Sequence, residues 1–141
     1  MKRDSSSADN GNSKARAARN KDDRRARGAR AEQLAATYIE SLGWMIEARN
    51  WRCRSGEIDL IARDGDCIVF IEVRSRSMAA ASFGTAREAL DVRKQLKVRS
   101  IAEVYAACNR LEGNKMRCDA VVITYYEFGQ EPVLEHIESA F

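Results

Sequence analysis

Three acidic side chains, Glu57, Asp59 and Glu72, stand in or beside apolar runs where an ionised group is costly. In "CIVFIEVRSR" (residues 67–76) Glu72 follows Ile68-Val69-Phe70-Ile71, with Val73 after it. A strand this apolar on both faces belongs in the middle of a covered sheet. A carboxylate there costs several kcal/mol unless a cation or hydrogen-bond donors compensate it. The preceding run "GEIDLIAR" joins this one through "DGD", a strong hairpin signal. With Asp64-Gly65 as the two-residue turn, Ile61 faces Ile68, Asp59 faces Phe70 and Glu57 faces Glu72. Alternation then puts Glu57, Asp59, Ile61, Phe70, Glu72 and Arg74 on one face. Asp59 and Glu72 become diagonal neighbours roughly 7 Å apart, and Glu57 and Glu72 a like-charge pair.

Arg74 is the nearest cation, two residues along the strand from Glu72. One guanidinium cannot satisfy three carboxylates, whereas a divalent ion can. Magnesium, or manganese in its place, binds one or two carboxylates plus waters and substrate phosphate, and aligns a water for attack on phosphorus. The alternative is a structural network that pairs Asp59 and Glu72 with Arg74, Arg76, Arg52 or Arg54.

The elements that must hold these groups can be read along the chain. "ARAEQLAATYIESLG" has Ala31, Leu34, Ala35, Tyr38 and Leu42 at helical spacing, with Gly43 as the stop. Glu32 lies on the shoulder of that apolar stripe. "WMIEARNWRC" reads as an outer strand, followed by the hairpin. Residues 85–109 read as helix in two pieces, with Asp91 capping the second. "RCDAVVITYYEF" is a further apolar strand and "PVLEHIES" a last one. The order is α-β-β-β-α-β-β, an α/β mixed sheet with flanking helices.

The 141 residues carry 24 Lys/Arg and 21 Asp/Glu, a size and charge that fit one domain with a single core. Residues 1–30 hold ten Lys/Arg against four Asp, so the tail is basic and the rest mildly acidic. Residues 1–27 are expected to be a disordered basic tail and 28–141 a single domain. Such a tail either adds attraction to a phosphate backbone or merely solubilises. No apolar run approaches the ~18 residues of a membrane span, and the first 30 residues lack the apolar core of a secretory signal, so a cytoplasmic location is expected. Cys53, Cys67, Cys108 and Cys118 form no C-x-x-C pair, which argues against zinc and for free thiols.

Glu32, "GEIDLIARDGDCIVFIEVRSR", a following helix with Lys94 and the strand opening "RCDAVV" together resemble the bacterial YraN-type family. That family is placed in the restriction-endonuclease-like fold, near Holliday-junction resolvases and within the PD-(D/E)xK superfamily. The match spans roughly residues 28–126. The resemblance implies a Mg²⁺- or Mn²⁺-dependent phosphodiesterase, with Asp59 and Glu72 as metal ligands and Glu32 as the helix carboxylate completing the site. Arg74 occupies the position of the nuclease lysine. Arginine can stabilise charge on the scissile phosphate, but it stays protonated above about pH 12 and cannot act as a base. Activation of the attacking water then falls to the ion or to Lys94.

The expected function is an endonuclease acting on DNA in preference to RNA, on branched or junction DNA by analogy, and as a homodimer by the same analogy. The rival is a non-catalytic nucleic-acid-binding protein on a degenerate nuclease fold; a protein-interaction module is the third reading. Arg76, Arg93 and Lys97 are candidate nucleic-acid contacts, with Arg99 beside them. Arg117 and Asp119 read as an ion pair pinning a strand, Trp44 and Trp51 as packing, and His136 as an ordinary strand residue.

Overall fold

Apolar side chains cover both faces of residues 68–71 and 120–123, and these become two neighbouring inner strands of a five-stranded mixed sheet with one helix on each side. The computed structural model describes residues 9–78, 84–86, 90, 92–127 and 129–141, without the side chains of 9, 10 and 92–95. The elements are α1 (Asp9–Ser41), β1 (Met45–Cys53), β2 (Gly56–Asp64), β3 (Cys67–Met78), α2 (Val92–Cys108), β4 (Lys115–Tyr126) and β5 (Val133–Ile137). Strands lie in the order β1-β2-β3-β4-β5. The pair β3/β4 is parallel and the other pairs are antiparallel. The parallel pair is joined through α2, the long crossover such a pair requires.

On one face Ala31, Ala35, Ala36 and Ile39 of α1 pack on Leu60, Ala62, Val69, Ile71, Val121 and Ile123. Three alanines let the helix come close to the sheet. On the other face Val98, Ile101, Ala102 and Tyr105 of α2 cover Ile58, Ile61, Ile68 and Phe70. Coverage on both sides explains the unbroken apolar run of β3. Gly43, at φ 82°, ends α1 as its sequence position implies.

Two local expectations are corrected. The hairpin turn is Gly65-Asp66, not Asp64-Gly65, so Asp64 pairs with Cys67 and Ile61 with Phe70. Gly65, at φ 58°, takes a left-handed turn position that favours glycine. The pairing slips by two residues and keeps the same parity. Secondly, residues 9–27 are helical, with residues 11–27 exposed throughout. Their low apolar content forbids packing, not helicity. Alanine, lysine and arginine are strong helix formers, Asp23 precedes Arg27 by one turn, and the packed half of α1 supplies the nucleus. The second piece of the expected helix begins at Val92 as read, while 87–89 of the first piece lie outside the described residues. Asp91, its expected cap, lies outside the described residues.

Candidate active site

Strict alternation fails at Asp59, and the site is built on that failure. Ile58 and Ile61 both pack toward α2, while Leu60 packs toward α1. Across the ladder in β1, Asn50 adopts φ 49°, and the paired residues skip from Arg49/Leu60 to Trp51/Ile58. Asp59 therefore turns toward α1 instead of sharing a face with Glu57, Ile61 and Phe70. It lines a cleft of about 200 Å³ with Glu32, Gln33, Arg49 and Asn50. Glu57 and Glu72 line a smaller cleft on the α2 side, about 120 Å³, with Lys97, Val98 and Ile101. The expectation that all the acids share one face is thus corrected.

The acids of the two clefts come together where β2 and β3 part. Their ladder ends at Leu60/Ile71. One step on, Asp59 Oδ2 accepts the Val73 N–H at 2.7 Å, taking the place of a strand carbonyl. Burial pushes Asp59 up to about 7, with Glu72, Glu32 and Glu57 adding to the rise and the Val73 N–H opposing it. Burial also raises Glu72, against the pull of Arg74, a hydrogen bond with Asp59, and Lys97. Asp59 thus keeps its proton to about neutral pH beside a Glu72 that is also raised, the arrangement expected of two carboxyls that cannot both ionise freely.

Cations only partly compensate the pair. Arg74 Nε lies 3.7 Å from Glu72 Oε1, beyond hydrogen-bond length. That Nε is buried and has no hydrogen-bond partner among the described residues. A buried N–H left without an acceptor calls for an explanation, and an incoming anion is one. Lys97 runs from α2 across Gly56, whose φ of 133° and missing side chain leave room for it. Glu57 pairs with Arg52 at 3.1 Å on the exposed rim, a contact worth little.

The other sequence-read residues fall as follows. Arg76 turns inward: its Nε donates to Thr124 Oγ1 at 2.9 Å, and its Nη1 donates to the Gly84 and Thr85 carbonyls at 3.0 and 3.1 Å. The side chains of Arg93 and Lys94 lie outside the described residues. Lys97, read only as a phosphate contact, stands at the acids. Its place four residues before the buried Ile101 was the available signal.

A second buried network lies across β3 from Asp59, where Asp119 pairs with Ile71. Arg117 holds Asp119 with two hydrogen bonds, 2.8 and 3.0 Å, as the R-x-D spacing implied. Asp119 also accepts the Ser139 N–H at 2.9 Å and faces His136 Nε2 at 2.8 Å. Tyr38 Oη lies 3.1 Å from His136 Nδ1, and Trp44 packs edge-on to the same ring. His136 is therefore the hub joining α1, β4 and β5, a role the sequence reading missed. Trp51 packs on Tyr105 at 5.2 Å, as packing and not as an open stacking surface.

The neighbouring carboxyls would suit a hard divalent ion, since a cation between them would offset the burial that raises both. Among the described residues no compact group of three His, Cys, Asp or Glu side chains could hold a metal. The chain thus offers two carboxylate ligands, Asp59 and Glu72, with Glu32 further off. That count matches magnesium, which keeps waters and substrate oxygens for its other positions. Among the described residues, no helix is long and apolar enough to cross a membrane.

A model of the family described as "Uncharacterised protein family UPF0102" matches residues 31–123. A UPF0102 protein of Nocardia farcinica is 39% identical over 119 residues, covering 84% of this chain and 91% of that protein. One from Pelotomaculum thermopropionicum is 38% identical over 120 residues, covering 85% and 98%. One from Moorella thermoacetica is 41% identical over 118 residues, covering 84% and 97%. The matched region begins at the packed half of α1 and takes in Glu32, Asp59, Glu72, Arg74 and Asp119, and on these grounds the chain belongs to the UPF0102, or YraN-type, family.

Proposed function

We propose that this protein is a Mg²⁺- or Mn²⁺-dependent phosphodiesterase of restriction-endonuclease-like fold, cleaving nucleic acid, with DNA the preferred substrate. The single observation that carries the proposal is the Asp59–Glu72 pair, two neighbouring carboxyls both raised by burial, with Glu72 lifting Asp59 further to about 7. The element order, with an antiparallel β1–β2–β3 unit followed by a crossover to a parallel β4, supports the fold assignment.

In this reading Asp59 and Glu72 hold the ion, which when bound polarises the phosphate and lowers the cost of deprotonating water. Val73 N–H fixes the Asp59 carboxylate in position. Arg74 offers its unpaired Nε to a phosphate oxygen and steadies charge developing there. Lys97, the second cation at the acids, is placed to hold the scissile phosphate against them. The test is cleavage of linear and branched DNA by wild type, Asp59→Asn and Glu72→Gln, with Mg²⁺, Mn²⁺ or EDTA. Metal-dependent cleavage reduced at least 100-fold in both variants is expected; equal trace cleavage in all three proteins would mean contamination.

One observation favours a second reading. Arg74 already stands beside Glu72, where a nuclease of this pattern has lysine. In that case the fold binds nucleic acid without cutting it.

A further inference from the structure

Two arginines of α1 and two tyrosines ending β4 meet away from the acids. Arg27 and Arg30 line a cleft of about 370 Å³ with Ala26, Ser77, Tyr125 and Tyr126. Both arginines are exposed and take part in no salt bridge found among the described residues. Tyr126 is 40% exposed. The Tyr125 hydroxyl is buried yet has no hydrogen-bond partner among the described residues. A buried hydroxyl is rarely left unpaired, so a ligand or water completes it.

These groups form one chemical set: two forked cations that match phosphate, an aromatic face open to solvent, and an unpaired hydroxyl. The geometry points to a binding site for unpaired nucleotides, with a base stacked on Tyr126 and the backbone phosphates on Arg27 and Arg30. The inference rests on the nucleic-acid substrate proposed above and specifies its form. Stacking on an aromatic ring needs a base freed from its duplex. Ser77 lies five residues beyond Glu72 on β3, about 17 Å at strand rise, the rise of roughly five nucleotides in one strand of a duplex. A strand can thus reach the acids while its unpaired end occupies the cleft. The rest of the exposed helix adds Lys14, Arg16, Arg19, Lys21, Arg24 and Arg25, which extend the positive surface outward from the cleft.

The test measures binding of labelled 20-nucleotide single-stranded DNA, the same sequence as RNA, and its DNA duplex, all in EDTA so that cleavage plays no part. Tyr126→Ala should weaken single-strand binding roughly 5- to 100-fold and duplex binding much less. Arg27→Ala/Arg30→Ala should weaken it more than Arg16→Ala/Arg19→Ala, which removes the same charge from outside the cleft. Circular dichroism should show all variants folded, since the changed side chains are exposed. An unchanged single-strand affinity in Tyr126→Ala, equal losses in the two arginine pairs, or equally strong competition by polyglutamate would overturn the inference. Tyr126-dependent binding by a protein that never cleaves would sink the nuclease reading and leave this site standing; cleavage indifferent to Tyr126, Arg27 and Arg30 would do the reverse.

Discussion

Lys97 lies across Gly56, so close that a Cβ built on the glycine would overlap Lys97 Cε and come within 3.1 Å of Nζ. The residue that opens β2 therefore decides where a cation of α2 sits. Gly56→Ala should displace the amine from Glu72 and also strain the backbone at φ 133°, costing about 1–2 kcal/mol in urea unfolding. Lys97→Met removes the charge without the strain. Because Lys97 opposes the rise of Glu72, both changes should move the titration of the pair upward, as read from side-chain carboxyl NMR shifts. A titration unchanged in both variants would detach Lys97 from the site.

Asp59, raised to about 7, gives a stability profile opposite to that of a salt-bridged acid. As pH rises from about 4 to 7 the unfolded chain loses a proton that the folded chain keeps, so stability falls through that window and levels off above it. Asp59→Asn keeps an oxygen to accept the Val73 N–H and lacks the titrating group. It should be more stable than wild type at pH 8, on the order of 2 kcal/mol after allowance for solvent screening, with the gap closing by pH 4. Thermal unfolding across that range checks it; a gap that widens toward acid would reverse the assignment.

Arg74→Lys distinguishes an impaired enzyme from a binder. The shorter, titratable side chain restores the nuclease pattern beside Glu72. A gain of tenfold or more in metal-dependent cleavage is expected under the enzymatic reading. No gain, with nucleic-acid affinity retained, selects the non-catalytic one.

Asp119 is fully buried and serves Arg117, His136 and the Ser139 N–H at once. Asp119→Ala strands these donors and should cost about 3–5 kcal/mol in urea unfolding. Asp119→Asn, which keeps the shape, should cost less. Because the hydrogen bonds of Asp119 run to Arg117, His136 and Ser139 and not to the acids, a folded Asp119→Asn should retain metal affinity, and a loss there would show that the two centres are coupled.

The apolar runs made most of this architecture legible, since a strand covered on both faces and a helix with an alanine stripe each leave a distinct pattern. The acids were legible as a group because carboxylates inside apolar segments are anomalous at once. Their arrangement was not. Period-two reasoning assumes an unbroken strand, and β2 departs from alternation at Asp59, which lies across from Asn50 at φ 49°. The hairpin slipped by two residues because "DGD" offers glycine to either of two turns, and only the pairing of Asp64 with Cys67 decides. His136 looked ordinary because its partners, Tyr38 and Asp119, are distant in the chain. Helicity of residues 9–27 was hidden because composition reports burial far better than local propensity.

The most direct test is Mn²⁺ titration followed by calorimetry on wild type, Asp59→Asn and Glu72→Gln between pH 6 and 8.5. One ion should bind the wild-type protein, more weakly below about pH 7 where it must displace the proton on Asp59, and binding should be lost in both variants. Binding that is absent from the wild type, or equal in all three proteins, would contradict the account.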